Sequence, residues 1–198
     1  MPVFKHPKQN IRPAMDETSA KVLFILISLY GMTAFLDQAM GKYLGDVVPL
    51  AGILLLSVLL GPLAGGMAWI LSSAVIHGTT RLFKGTASFK ETRHACAWAT
   101  VPYSTKLMII TIPMILIFGE ENFTTLTPRI DSSIFLLLLF FLFIIADIVL
   151  SIYYLVVYSK IIGEVHNIGA WKGFLSIVLI PVAIIILLVI ALIITEGM

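Results

Sequence analysis

The sequence predicts an all-α integral membrane protein, a bundle of five transmembrane helices with a cytoplasmic N-terminus and an outside C-terminus. Three observations carry that prediction. Hydrophobic residues make up 59% of the 198 positions and charged residues only 12%, whereas soluble domains sit near ~45–50% apolar and ~25% charged. Mean hydropathy is +1.03, and several apolar runs reach the ~20 residues needed to cross a bilayer. The basic residues gather in alternate loops, as the positive-inside rule requires. A formal net charge of +2, spread over separate loops, makes no basic face for a phosphate backbone, so a nucleic-acid partner is not expected. The single Cys96 rules out an internal disulfide.

The elements follow in order. Residues 1–20 are too polar for lipid, contain Pro2, Pro7 and Pro13, and lack the apolar centre of a signal peptide; they read as a cytoplasmic tail. Residues 21–198 form one transmembrane domain, and 21–36 is its first span. Residues 47–83 are apolar almost throughout, but as one helix they would run ~55 Å, nearly twice the hydrocarbon thickness. A break at Gly61-Pro62 is expected, because proline removes a backbone donor and clashes with the preceding turn. That leaves 63–83 as the second span and 47–60 as a half-helix, re-entrant or interfacial. In the alternative both halves cross, giving six spans. Residues 96–118 and 132–158 are the third and fourth spans. The fifth, 174–195, is almost wholly aliphatic and carries Pro181, which a membrane helix tolerates as a kink.

Loop charge arbitrates between five spans and six. With five, Lys5, Lys8, Arg12, Lys21, Arg81, Lys84, Lys90, Arg93, Lys160 and Lys172 share one side, against Lys42 and Arg129 on the other. A sixth crossing would divide the basic tail from the Arg81 to Arg93 turn, which the positive-inside rule disfavours. Trp98, Trp171, Tyr154, Tyr158, Phe83 and Phe89 fall near the expected inner ends, as interfacial aromatics do.

The segment RLFKGTASFKETRHACAWATVPYSTKL joins a basic turn, a glycine, Ser88-Phe89-Lys90 and a helix with Val101-Pro102. Gly163-Glu164-Val165-His166-Asn167 and Lys172 follow before the last helix, and the tail has His6-Pro7 ahead of Ile11-Arg12. With these motifs the chain resembles the Yip family, membrane proteins named for interaction with Ypt/Rab GTPases, in its compact bacterial form. The likeness runs from about residue 4 to the final helix. It implies a five-helix bundle with a cytoplasmic N-terminus in a bacterial cytoplasmic membrane. Eukaryotic members are implicated in vesicle trafficking and bacterial ones are often described as permease-like. The family defines no catalytic residues, so an enzyme is not expected and no cofactor is implied.

Lys106 and Asp147 are the two ionisable residues at lipid depth. A charge at mid-membrane costs on the order of 2.5–3.5 kcal/mol on insertion scales, so two at similar depth on consecutive antiparallel helices should pair. The pair reads either as an ion relay or polar solute site, with Thr105, Thr111 and Ser151 nearby, or as a structural salt bridge. Gly61, Pro62, Gly65 and Gly66, continued by Ala68 and Ser72, set small residues along one helix face, suited to close helix contact or to a discontinuous ion-binding helix. His77, His94, Glu164 and His166 are weak metal candidates on the cytoplasmic side, because only Glu164 and His166 have tight spacing. Glu120-Glu121 lacks the arginine of the paired-glutamate prenyl-protease pattern, and no serine elbow, phosphate-binding loop or H-E-x-x-H is present. The turn with Arg81, Lys84, Lys90 and Arg93 would set topology and attract anionic lipid headgroups or an acidic partner protein.

The leading expectation from sequence is a non-enzymatic membrane organising or adaptor protein that works within the bilayer and along its cytoplasmic face. The alternative is a small permease with its polar site at Lys106 and Asp147.

Overall fold

The computed structural model describes residues 7–196, and every regular element among them is helical. Lys5 and His6 of the tail and the last residue, Met198, lie outside the described residues. Among the described residues nine α-helices follow in order: α1 (Pro7–Asp16), α2 (Ala20–Gly41), α3 (Leu50–Leu82), α4 (Phe89–Ala99), α5 (Val101–Lys106), α6 (Ile112–Phe118), α7 (Pro128–Asp131), α8 (Ile134–Val165) and α9 (Ala170–Glu196). Short 3-10 turns at Leu44–Asp46 and Gly119–Phe123 and a π turn at Leu107–Thr111 link them. Among the described residues four stretches are long and apolar enough to cross a membrane: Ala20–Gly41, Leu50–Leu82, Phe89–Phe123 and Ile134–Val165. In α9 the described apolar stretch is Ala170–Ala183.

The tail is helical over Pro7–Asp16. Proline at the first position has no donor to lose there, and Ile11 and Met15, four residues apart on one face, are both buried. Ser19 caps α2 by accepting from the Val22 backbone N–H at 3.4 Å. At the start of α4, Ser88 and Glu91 form a reciprocal capping box. The Ser88 backbone N–H donates to Glu91 Oε2 at 2.7 Å, and the Glu91 N–H donates to Ser88 Oγ at 3.2 Å.

The largest departure from expectation is α3. Its 33 residues form one helix through Pro62, so neither the break at Gly61-Pro62 nor a separate half-helix over 47–60 is present. Proline at position 62 costs one hydrogen bond, to the Val58 carbonyl four residues back, and membrane helices tolerate that loss. What lies at this point is a close crossing with α2. A Cβ on Gly31 would fall 1.9 Å from the Gly61 carbonyl oxygen, one on Gly61 would fall 2.8 Å from the Met32 backbone, and one on Gly65 would fall 2.4 Å from the Ile27 carbonyl oxygen. Gly66 faces open space. The small residues therefore admit another backbone, and the helix has no reason to end.

The third expected span, 96–118, is built from pieces. Pro102 follows a turn at Thr100, because its nitrogen cannot bond back to Trp98. Pro113 follows the π turn Leu107–Thr111. The wider ring displaces the carbonyl that proline would strike, a usual origin of π bulges in membrane helices.

The chain forms two compact units: Met1–Glu17, Leu71–Cys96 and Val156–Met198 in one, Thr18–Ile70 and Ala97–Leu155 in the other. In the first, the Arg12 guanidinium donates to the carbonyls of Glu164 (3.5 Å) and Val165 (3.2 Å) and to Asn167 Oδ1 (3.3 Å). These carbonyls end α8, where a cation offsets the negative helix terminus. The turn into α9 is tight, since a Cβ on Gly163 would lie 2.4 Å from the Gly169 carbonyl oxygen. In the second unit one core joins Leu36, Ala39, Ile53, Leu107 and Phe123. A second joins Ile110, Met114, Phe118 and Ile130 to α8, with Phe118 meeting Phe140 edge-on at 5.4 Å between ring centres.

Candidate functional site

Within the second unit, three helices each bring one ionisable side chain to a single point. α2 supplies Asp37, one turn before its end at Gly41; α5 supplies Lys106 as its last residue; and α8 supplies Asp147 from its middle. Lys106 Nζ lies 2.7 Å from Asp37 Oδ2 and 2.6 Å from Asp147 Oδ1. The Tyr103 hydroxyl, one turn before Lys106, also donates to Asp37 Oδ2. The ammonium sits 5.1 Å from the Tyr103 ring centre, and Tyr30 and Tyr154 flank that ring at 5.4 and 5.3 Å.

Burial grades across the three. The Lys106 side chain is 6% exposed, Asp37 19% and Asp147 33%. Lys106 is therefore enclosed, while Asp147 has room for a further partner. Asp37 Oδ1 is buried and has no hydrogen-bond partner among the described residues. A cavity of about 570 Å³ reaches all three groups and is bordered by the connector residues Tyr43, Thr124 and Thr125. The nearby Glu121 is occupied locally: its two carboxylate oxygens accept the backbone N–H groups of Arg129 (2.8 Å) and Ile130 (2.9 Å) at the start of α7. Arg129 in turn donates to the Ile117 carbonyl. The Lys106 cluster thus holds two carboxylates against one ammonium.

Sequence reasoning singled out Lys106 and Asp147 but missed Asp37. The span expected from sequence, 21–36, stops just before Asp37, whereas α2 continues five residues further, to Gly41.

The histidines divide. In the first unit His77 Nδ1 lies 3.1 Å from Thr92 Oγ1, and Thr92 Oγ1 lies 3.0 Å from His166 Nε2. The two rings are 6.1 Å apart. His94 instead reaches the Met15 carbonyl at 3.4 Å, and Glu164 meets Arg12 through its backbone carbonyl. Among the described residues no three His, Cys, Asp or Glu side chains converge on a metal-binding arrangement. His166, just past the end of α8, is fully buried. Burial first, then the neighbouring His77 and Arg81, pushes its pKa down to about 4, with Glu91 opposing.

The basic turn is partly committed to its own backbone. Arg81 donates to the carbonyls of Gly85 (2.9 Å) and Ala87 (3.0 Å), and the Arg93 guanidinium lies over the Phe89 ring at 5.3 Å. Lys84 and Lys90 are exposed.

Residues 2–193 match the family model of the Yip1 domain. No curated protein and no solved structure matches the chain.

Proposed function

The chain belongs to the Yip family of membrane proteins, and on that premise we propose that it is a small permease whose polar intramembrane site is Lys106 with Asp147 and Asp37. It is an integral membrane protein of a family not known for enzymes. One observation carries the proposal: a cavity of about 570 Å³ borders all three charged side chains and the polar connectors together. That volume lies within the ~300–1,000 Å³ of small-molecule sites. A cluster serving helix pairing alone needs no open space beside its charged groups, whose partners are already in the protein. Here Asp147 is one-third exposed.

The membrane arrangement that goes with this reading has five crossings, α9 being the fifth, with a cytoplasmic N-terminus in a bacterial cytoplasmic membrane. The 27-residue length of α9 and the charge bias of the loops support it. An organising or adaptor role draws its support from the basic turn, where the exposed Lys84 and Lys90 suit anionic headgroups. Arg81, exposed and oriented by the Gly85 and Ala87 carbonyls, keeps its charge and adds to that face.

The test is solute release. Proteoliposomes loaded with a mixture of small polar solutes are compared by mass spectrometry of the external medium. The permease reading expects wild type to release a subset that Asp147→Asn, inserted and folded to the same extent, retains. Release identical to protein-free liposomes refutes it.

A further inference from the structure

Resting on the permease reading of this cavity, we infer that the solute it takes is an amphipathic organic ammonium, a protonated amine on a small apolar body. Charge comes first. With its carboxylates ionised, the cluster of Asp37, Asp147 and Lys106 carries one negative charge in excess, and an uncompensated charge at membrane depth is costly. The ammonium of Lys106 is enclosed and held by both carboxylates at 2.7 and 2.6 Å, so it is closed to an incoming anion. Glu121, the other acid on the cavity wall, has both oxygens capped by backbone N–H groups. The excess is therefore presented by the Asp37–Asp147 cluster, and through Asp147, whose side chain is the most exposed of the three.

A second, independent group points the same way. Asn122 lines the cavity and is only 7% exposed. Its Nδ2 donates to the carbonyls of Met114 at 2.8 Å and Gly119 at 3.2 Å, leaving Oδ1 buried without a partner among the described residues. With Nδ2 engaged, the amide has only an acceptor left to offer, and an orphaned buried acceptor calls for a donor. An N–H-bearing cation meets the charge at Asp147, and its donors suit the Asn122 oxygen where that side chain turns toward the cavity.

The remaining wall fixes the body of the solute. Met40, Ile110, Met114, Phe140, Ile144 and Ile148 line the cavity, an apolar surface that an inorganic cation with its hydration shell does not use. Met and Phe side chains suit an apolar or aromatic group. Phosphate- and carboxylate-bearing solutes are disfavoured by the same charge count.

The experiment uses the full chain in lipid nanodiscs and equilibrium dialysis with three probes of one shape: benzylamine, benzyl alcohol and benzoate, each corrected for empty nanodiscs at neutral pH. The inference expects saturable benzylamine binding, at least tenfold weaker benzyl alcohol binding and none of benzoate. Asp147→Asn should lower benzylamine affinity at least tenfold, and Asp147→Glu should stay within a few fold of wild type. Where Asp147→Asn does not fold, Thr125→Trp decides. Thr125 is an exposed rim residue, and an indole there should block benzylamine without touching the cluster. Saturable binding of benzoate or benzyl alcohol in place of benzylamine overturns the ammonium assignment while leaving a solute cavity. Absence of saturable binding by all three probes also overturns the assignment, and the solute-release assay, whose mixture includes anionic, neutral and cationic solutes, judges the permease reading separately. Benzylamine binding unchanged in folded Asp147→Asn, or in Thr125→Trp, overturns it as well.

Discussion

Asp37 and Lys106, 69 positions apart in the chain, meet at 2.7 Å. That contact changes the arithmetic of the buried charges: a one-to-one pair with Asp147 would be neutral, whereas the cluster with Asp37 holds two acids on one base. The order of damage among single substitutions follows from this count.

Removing the base should be far worse than removing one acid. Lys106→Met leaves two carboxylates facing each other without a cation, and breaking a buried pair in this way costs about 3–5 kcal/mol. Asp37→Asn leaves the Asp147 pair neutral and keeps an acceptor for Tyr103, so its cost should be nearer ~1 kcal/mol. Adding both Asp37→Asn and Asp147→Asn to Lys106→Met should recover much of the loss. Reversible unfolding in mixed micelles measures the series. Equal damage from Lys106→Met and Asp37→Asn would contradict the charge count.

The crossing of α2 and α3 predicts a contrast among glycines. Gly31→Ala and Gly65→Ala drive a methyl to 1.9 and 2.4 Å from backbone carbonyl oxygens. Backbone cannot give way as a side chain can, so a loss of about 1–3 kcal/mol is expected from each. Gly66→Ala meets nothing within 4 Å and should be neutral or stabilising by up to ~1 kcal/mol, since alanine is the better helix former. Thermal midpoints of the three variants in one detergent check the contrast.

His166 predicts an acid-side loss of stability. Its pKa in the folded protein is held down to about 4, against ~6.5 in an unfolded chain. Between those values the unfolded state binds the extra proton, so stability rises with pH across the window and falls as pH drops from ~6.5 toward 4. Above the window the contribution is complete. His77, Arg81 and Glu91 act on the ring, and Thr92 bonds it. His166→Gln should flatten this part of the profile. A midpoint in His166→Gln with the same slope from pH 6.5 to 4 would assign the acid loss to other groups.

The sequence was legible where lipid writes the rule. Long apolar runs with few charges mark helices without help from tertiary structure, and the all-α membrane class follows from them. Lys106 and Asp147 could be singled out because each is a charge inside such a run. Asp37 could not, because it sits at the end of one, where a helix that continues by a single turn looks the same as a loop. The helix through Pro62 was illegible for a related reason. Proline signals a break only in local terms, while the outcome depended on Gly31 and Gly61, 30 residues apart in sequence, admitting each other's backbones. The π turn before Pro113 belongs to the same class, since nothing in its aliphatic residues states which ring size the backbone will take. The His77–Thr92–His166 cluster was hidden by distance in the chain, and spacing alone suggested only that Glu164 and His166 were close.

The central claim is that water-borne solutes reach the Lys106 cluster through its cavity, and cysteine accessibility tests it most directly. Ile144 lines the cavity, while its neighbour Ile145, 58% exposed, lies outside the cavity lining at nearly the same depth. With Cys96→Ala as background, Ile144→Cys and Ile145→Cys are treated in nanodiscs with a charged, membrane-impermeant methanethiosulfonate. The account predicts labelling of Ile144→Cys at least tenfold faster than of Ile145→Cys. Equal, negligible labelling at both positions would contradict it and leave Lys106, Asp37 and Asp147 as a sealed structural cluster.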